Sequence, residues 1–265
     1  MRNLLNESFA RLYRNKTFRV CLVLAVLFPA LLIMFIKLMD IINDTKGRVS
    51  GDDSIFLMFS FMPLFVAIAA GLFVAKDFRQ NTVRNKIICG YSRTKIYLTN
   101  LITCSVAAII LHFASMVVSV GLTSILYKTG DLFTTVNLYY VLTSITTLIS
   151  FTSVTVMMTM IFRNTAGAIF SFFIHQILTL FDLVLILIKN KALKKFLDLF
   201  PPQKQLEIIC SRNYANDLKS ELGGLLERYS IPQGFDAVAL PLYAVILIVI
   251  VSAVGILHFN KSDVK

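Results

Sequence analysis

Four polar residues lie inside long apolar runs and are the first candidates for chemistry: His112, His175, Gln176 and Asp182. A polar or ionisable side chain in a membrane-spanning helix is costly, and where it occurs it often marks a proton relay or a substrate contact. His175 and Asp182 are seven residues apart, so on a helix they share one face, two turns and about 10 Å apart. That spacing suits a relay. It suits equally an arrangement in which Asp182 meets water near the outer end of its span while His175 and Gln176 hydrogen-bond a neighbouring helix. His112 carries the same two readings in an earlier run. A series of hydroxyls follows it: Thr143, Ser144, Thr146, Thr147, Ser150, Thr152, Ser153, Thr155 and Thr159. These either line a polar path or allow helices to pack closely.

Other chemistries find no residues to perform them. There is no H-E-x-x-H pair and no G-x-x-x-x-G-K-[ST] phosphate loop, nor a G-x-S-x-G elbow. Cys21, Cys89, Cys104 and Cys210 have no metal-ligand spacing. The chain is expected to bind no cofactor of its own and not to be an enzyme.

The elements that must position these residues are membrane spans. Of the 265 residues 57% are hydrophobic and only 15% charged, and the mean hydropathy is +0.75. Uncharged runs of eighteen or more residues are long enough to cross a bilayer as helices. Six are predicted, at about 18–36, 55–75, 98–127, 138–162, 165–188 and 237–259. The fold class is an all-α membrane protein, with one membrane domain over residues 1–265. Residues 1–17 read as an amphipathic interfacial helix, with Met1, Leu4, Leu5, Phe9 and Leu12 at helical spacing. Pro29 and Pro63 are expected to kink the first two spans.

Lys and Arg in the short loops set the orientation. The N-terminal segment carries Arg2, Arg11, Arg14, Lys16 and Arg19, and the segment at residues 76–97 carries Lys76, Arg79, Arg84, Lys86, Arg93 and Lys95. Both are therefore placed in the cytoplasm, and six spans return the C-terminus to that side. The loop at residues 189–235 then lies outside, as a small helical cap with amphipathic helices at 191–200 and 215–229 on either side of Pro201-Pro202. The net charge of +11 is read as loops facing membrane lipids rather than nucleic acid.

The basic segment 76–97 is the most specific feature of the chain. Its run Asp77-Phe78-Arg79-Gln80-Asn81-Thr82-Val83-Arg84-Asn85-Lys86-Ile87-Ile88-Cys89-Gly90-Tyr91-Ser92-Arg93 resembles the cytoplasmic segment of ABC-2 type permeases. In that family an acidic residue ends span two, a Thr-Ile/Val-Arg-Asn-Lys-like stretch follows, and a Gly or Pro turn leads to Ser-Arg before span three. Asp77 stands where many members have Glu, and Asn81 where many have Gly. The layout of the whole chain agrees with the family. It looks most like the small permeases of Gram-positive bacteria linked to antimicrobial-peptide, lantibiotic-immunity or bacitracin-type resistance.

The resemblance implies a transport subunit in a bacterial cell membrane, paired with a separate ABC ATPase that binds ATP and magnesium. It also implies a second permease copy or a homologous permease, and an amphipathic or hydrophobic cargo moved outward. The segment would be the coupling helix, with Thr82, Val83, Arg84, Asn85, Lys86, Ile87, Gly90, Ser92 and Arg93 at the ATPase contact. Val83, Ile87 and Ile88 would supply apolar knobs, Arg84, Lys86 and Arg93 would pair with acids of the partner, and Gly90 would turn the chain. Two rivals stand beside this reading. One is an ATPase-independent membrane immunity or binding protein for an antimicrobial peptide. The other is an intramembrane enzyme, which requires His112, His175 and Asp182 to converge.

Overall fold

A computed structural model describes residues 1–42, 56, 58–127, 135–179, 201–211 and 235–261. All regular structure among them is helical. The helices are α1 (Arg2–Arg14), α2 (Lys16–Ile42), α3 (Phe59–Arg79), α4 (Thr82–Ile88), α5 (Arg93–Leu126), α6 (Thr135–Phe162), α7 (Thr165–Thr179), α8 (Pro202–Ser211) and α9 (Phe235–Lys261). Five of these contain stretches long and apolar enough to cross a membrane: Lys16–Ile42, Phe59–Arg79, Arg93–Leu126, Leu138–Phe162 and Ala239–Lys261. The protein is thus an all-α membrane protein with about five candidate spans among the described residues. The expected span at 165–188 is represented by the shorter α7, and its remainder, with Asp182, lies outside the described residues. So do the cap helices expected at 191–200 and 215–229.

The first two spans run further than hydropathy indicates, because the polar residues at their ends have partners. α2 continues past Lys37 and Asp40. The hydroxyl of Tyr127, at the end of α5, donates to Asp40 Oδ2 at 2.9 Å, and the Lys37 ammonium lies 4.5 Å from the centre of the Tyr127 ring. α3 likewise continues past Ala75 to Arg79 and carries a buried Asp77. Pro63 lies in the first turn of an α-helical stretch, where no intrahelical N–H is required. The run then passes through a π-helical turn at Ala67–Gly71.

α6 is the central helix, packed on α3, α5, α7, α8 and α9. Its hydroxyl series is buried except for the half-buried Thr146, and most of it bonds within the helix. Thr143, Ser144, Thr146, Ser150, Thr152, Ser153, Thr155 and Thr159 each donate to a carbonyl three or four residues back. Those protons are spent locally, so these residues act chiefly as small packing surfaces. α7 comes close enough that a Cβ on Gly167 would collide with the backbone of Thr159.

Two peripheral helices pack on the bundle. The apolar side of α1 is partly covered: the helix packs on α5, with Leu4 and Leu12 buried, Leu5 and Phe9 half-buried and Met1 exposed. α8 begins at Pro202 itself, since proline suits the first helical position. It seats Gln205, Leu206 and Ile209 in the bundle, with Gln205 Oε1 accepting from the Thr147 hydroxyl at 3.1 Å.

Candidate functional site: a charged junction at one end of the bundle

The segment 76–97 folds as helix, tight turn, short helix, tight turn, helix. Asn81 precedes α4 in the left-handed region (φ 55), which Asn tolerates better than most residues. α4 ends on Gly90 at φ 84. There the Tyr91 N–H bonds to the Lys86 carbonyl at 3.1 Å and the Gly90 N–H to that of Ile87 at 2.9 Å, a Schellman closure that needs the positive φ. Ser92 then caps α5, its hydroxyl oxygen accepting from the Lys95 N–H at 3.4 Å. Two sharp turns on either side of seven helical residues make α4 a compact projection between two spans.

The side of α4 that faces the protein is charged. Lys86 is buried, with Nζ 3.9 Å from Asp77 Oδ2 and 3.8 Å from Glu7 Oε1. Arg11 of α1 pairs with Asp77 as well, lies 3.6 Å from Glu7, and sets its guanidinium over the Phe73 ring. Two cations and two carboxylates therefore tie α1, α3 and α4 together. Burial pushes the Arg11 guanidinium below its ordinary value, against the pull of Glu7. Burial, and then the charge of Arg11, push the Lys86 ammonium down too, with Glu7 opposing. Val83 is buried beside this cluster and Ile87 is half-buried against the core.

Arg93 is engaged at the last helix. Its Nη1 donates to the carbonyls of Phe259 at 3.1 Å and Asn260 at 3.0 Å, near the C-terminal end of α9, where a cation complements unpaired carbonyls. α1, the segment 76–97 and the end of α9 thus meet at one end of the bundle. Of the side chains expected at an ATPase contact, Val83 and Lys86 face inward and Arg93 serves α9. Thr82 is half-buried, and Arg84, Asn85, Ile88 and Ser92 are exposed. Ile88 is 74% exposed.

Among the described residues, His112 and His175 are held in separate surroundings, and Asp182 lies outside the described residues. His112 Nε2 lies 3.0 Å from Ser144 Oγ, and the Ser144 hydroxyl already donates to the Val141 carbonyl. His175 is buried edge-on against Phe151, ring centres 4.4 Å apart. His112 and His175 share no hydrogen bond or ring contact, and Gln176 is exposed on α7. Sequence reasoning missed Glu7 and Arg11, whose only local signal is an acid and a base one turn apart. It also passed over Asp77 as a paired residue, although this is the one acid within a basic segment.

No curated protein and no solved structure matches the chain. A family described as "Protein of unknown function (DUF2705)" matches residues 20–265, from early α2 through the last described helix. With that match spanning nearly the whole sequence, the chain belongs to the DUF2705 family.

Proposed function

We propose that this chain is the membrane-spanning permease subunit of an ABC-2 type transporter in a bacterial cell membrane. In this reading it is a transport subunit and not an enzyme. A separate ATPase binds ATP and magnesium, and a second copy or a homologous permease completes the membrane part. The cargo is amphipathic or hydrophobic, of the peptide, drug or lipid-like class, and moves outward, as in antimicrobial-peptide resistance. The chain crosses the membrane six times, with α1 and the end of α9 in the cytoplasm. That reading puts the start of α5 and the end of α9 on one side of the membrane, which their shared place at the charged junction supports.

The observation that carries this reading is the two-sided character of α4. Its outer side presents Arg84, Asn85 and Ile88, a cation, an amide and a bare aliphatic knob suited to a groove with an acidic rim. Its inner side is held to α1 and α3 through Lys86, Asp77, Glu7 and Arg11. Arg93 extends the connection to α9. A force applied at Ile88 is passed to three helices by short contacts, without a flexible loop in between. The coupling surface is accordingly smaller than the sequence motif: Arg84, Asn85 and Ile88 touch the partner, while Lys86 and Arg93 transmit.

The test is the pair Arg84→Glu and Ile88→Asp in the full chain. Membrane insertion should persist while association with the ATPase and cargo-stimulated hydrolysis are lost. Transport and association equal to those of the unmodified protein would overturn the reading.

A further inference from the structure

The elbow between α1 and α2 concentrates positive charge. Arg14 ends α1, Lys16 begins α2 and Arg19 follows within the first turn, and all three are exposed. The elbow is preformed. Asn15 is extended (φ −74, ψ 119) and buried, and its Oδ1 accepts from the Thr17 N–H at 3.0 Å. Arg19 Nη2 donates to the Arg14 carbonyl at 3.2 Å, which draws the cations around a single turn. Among the described residues none of the three has an ion-pair partner, because Glu7, the one acid in α1, is engaged with Arg11 and Lys86. Like charges this close repel, and the arrangement favours an anion.

Its position says which anion. Lys16, Arg19, Val20, Val23 and Leu27 follow three- and four-residue spacing along one side of α2. Val20 is 57%, Val23 54% and Leu27 50% exposed. The cations therefore stand at the head of an apolar stripe that is exposed among the described residues. Tyr13, also exposed, is of a type enriched where membrane meets water. Only part of the apolar side of α1 is left for the bilayer, since Leu4 and Leu12 are buried and Leu5 and Phe9 half-buried. A soluble anion or an acidic protein would satisfy the cations and leave the stripe unused. A phospholipid with a negative headgroup satisfies both.

We infer that Arg14, Lys16 and Arg19, with the stripe Val20, Val23 and Leu27, form a binding site for an anionic phospholipid of the bilayer. The phosphate sits at the cations and an acyl chain lies along the stripe. The site is separate from the outer side of α4 and does not depend on the ATPase reading.

The experiment is native mass spectrometry of the full chain in detergent, titrated with phosphatidylglycerol or with phosphatidylcholine of the same acyl chains. Phosphatidylglycerol should be retained in preference. The preference should fall about five-fold for each cation removed in Lys16→Gln and Arg19→Gln. It should survive in Arg19→Lys, which keeps the charge, and in Lys95→Gln, which removes an exposed cation elsewhere. If Arg19→Gln does not fold, Lys16→Gln alone is read. Equal retention of the two lipids, or a preference unchanged by Lys16→Gln, overturns the proposal. Displacement of the lipid by inorganic phosphate at the same concentration also overturns it, by identifying a site for free anions.

Discussion

Lys86 Nζ lies 3.9 Å from Asp77 Oδ2, across the turn that joins the second span to α4. Both side chains are buried. The contact makes the orientation of the short helix depend on a carboxylate in the span, and it places a residue of the basic motif inside the protein. Arg11 reaches the same carboxylate from α1, so Asp77 is the shared point of three helices.

Asp77→Asn should therefore be among the most damaging single changes. It leaves two cations near a single carboxylate, and breaking a buried ion pair from one side costs about 3–5 kcal/mol. Thermal unfolding in detergent checks this. A melting temperature equal to that of the parent would show that Asp77 does not hold Arg11 and Lys86.

The lowered Lys86 value has a signed consequence. A base whose folded value lies below its unfolded value binds fewer protons when folded, so stability rises with pH between the two. For Lys86 that window ends at its ordinary 10.5. Stability measured toward alkaline pH should rise with a component that Lys86→Met removes. An identical slope in both proteins would contradict the burial of the ammonium.

Gly90→Ala forces an L side chain to φ 84, at a cost of about 1–2 kcal/mol. Nothing lies within 4 Å of where the Cβ would stand, so the cost is conformational and not steric. Gly90→Asn should recover part of it, because Asn is the next residue favoured at this cap. Equal melting temperatures for Gly90→Ala and the parent would exclude this account of the turn.

Adding a side chain at Gly167 and at Gly121 has opposite expected effects. Gly167→Leu drives a side chain into the Thr159 backbone, and overpacking costs about 1–3 kcal/mol. Gly121 has open space around it within α5, so Gly121→Ala should stabilise by up to about 1 kcal/mol through helix propensity. Shifts of the same sign in the two variants would argue against the α6–α7 packing described.

Much of the architecture was legible because continuous apolar runs leave a chain few alternatives in lipid. The spans around residues 18–36, 98–127 and 138–162 are all found within described helices. What hydropathy could not show was where polar residues extend a helix, since Asp40 and Asp77 are accommodated by partners on other helices, Tyr127 and Arg11 among them remote in sequence. The inward face of α4 was hidden for a related reason. Seven residues are too few for a periodic pattern, and what turns Lys86 inward are the carboxylates of α1 and α3. The hydroxyls of α6 allowed two readings in sequence, and only their bonds to preceding carbonyls separate packing from a polar path.

The most direct test of the central claim is affinity purification of the tagged full chain from its own membranes, followed by assay of ATP hydrolysis in the eluate. The account predicts that an ATP-binding-cassette subunit copurifies and hydrolyses ATP, and that both the subunit and the activity disappear from the Arg84→Glu/Ile88→Asp variant. A stable, membrane-inserted chain that brings down no ATPase, or one retained equally by the variant, would contradict it.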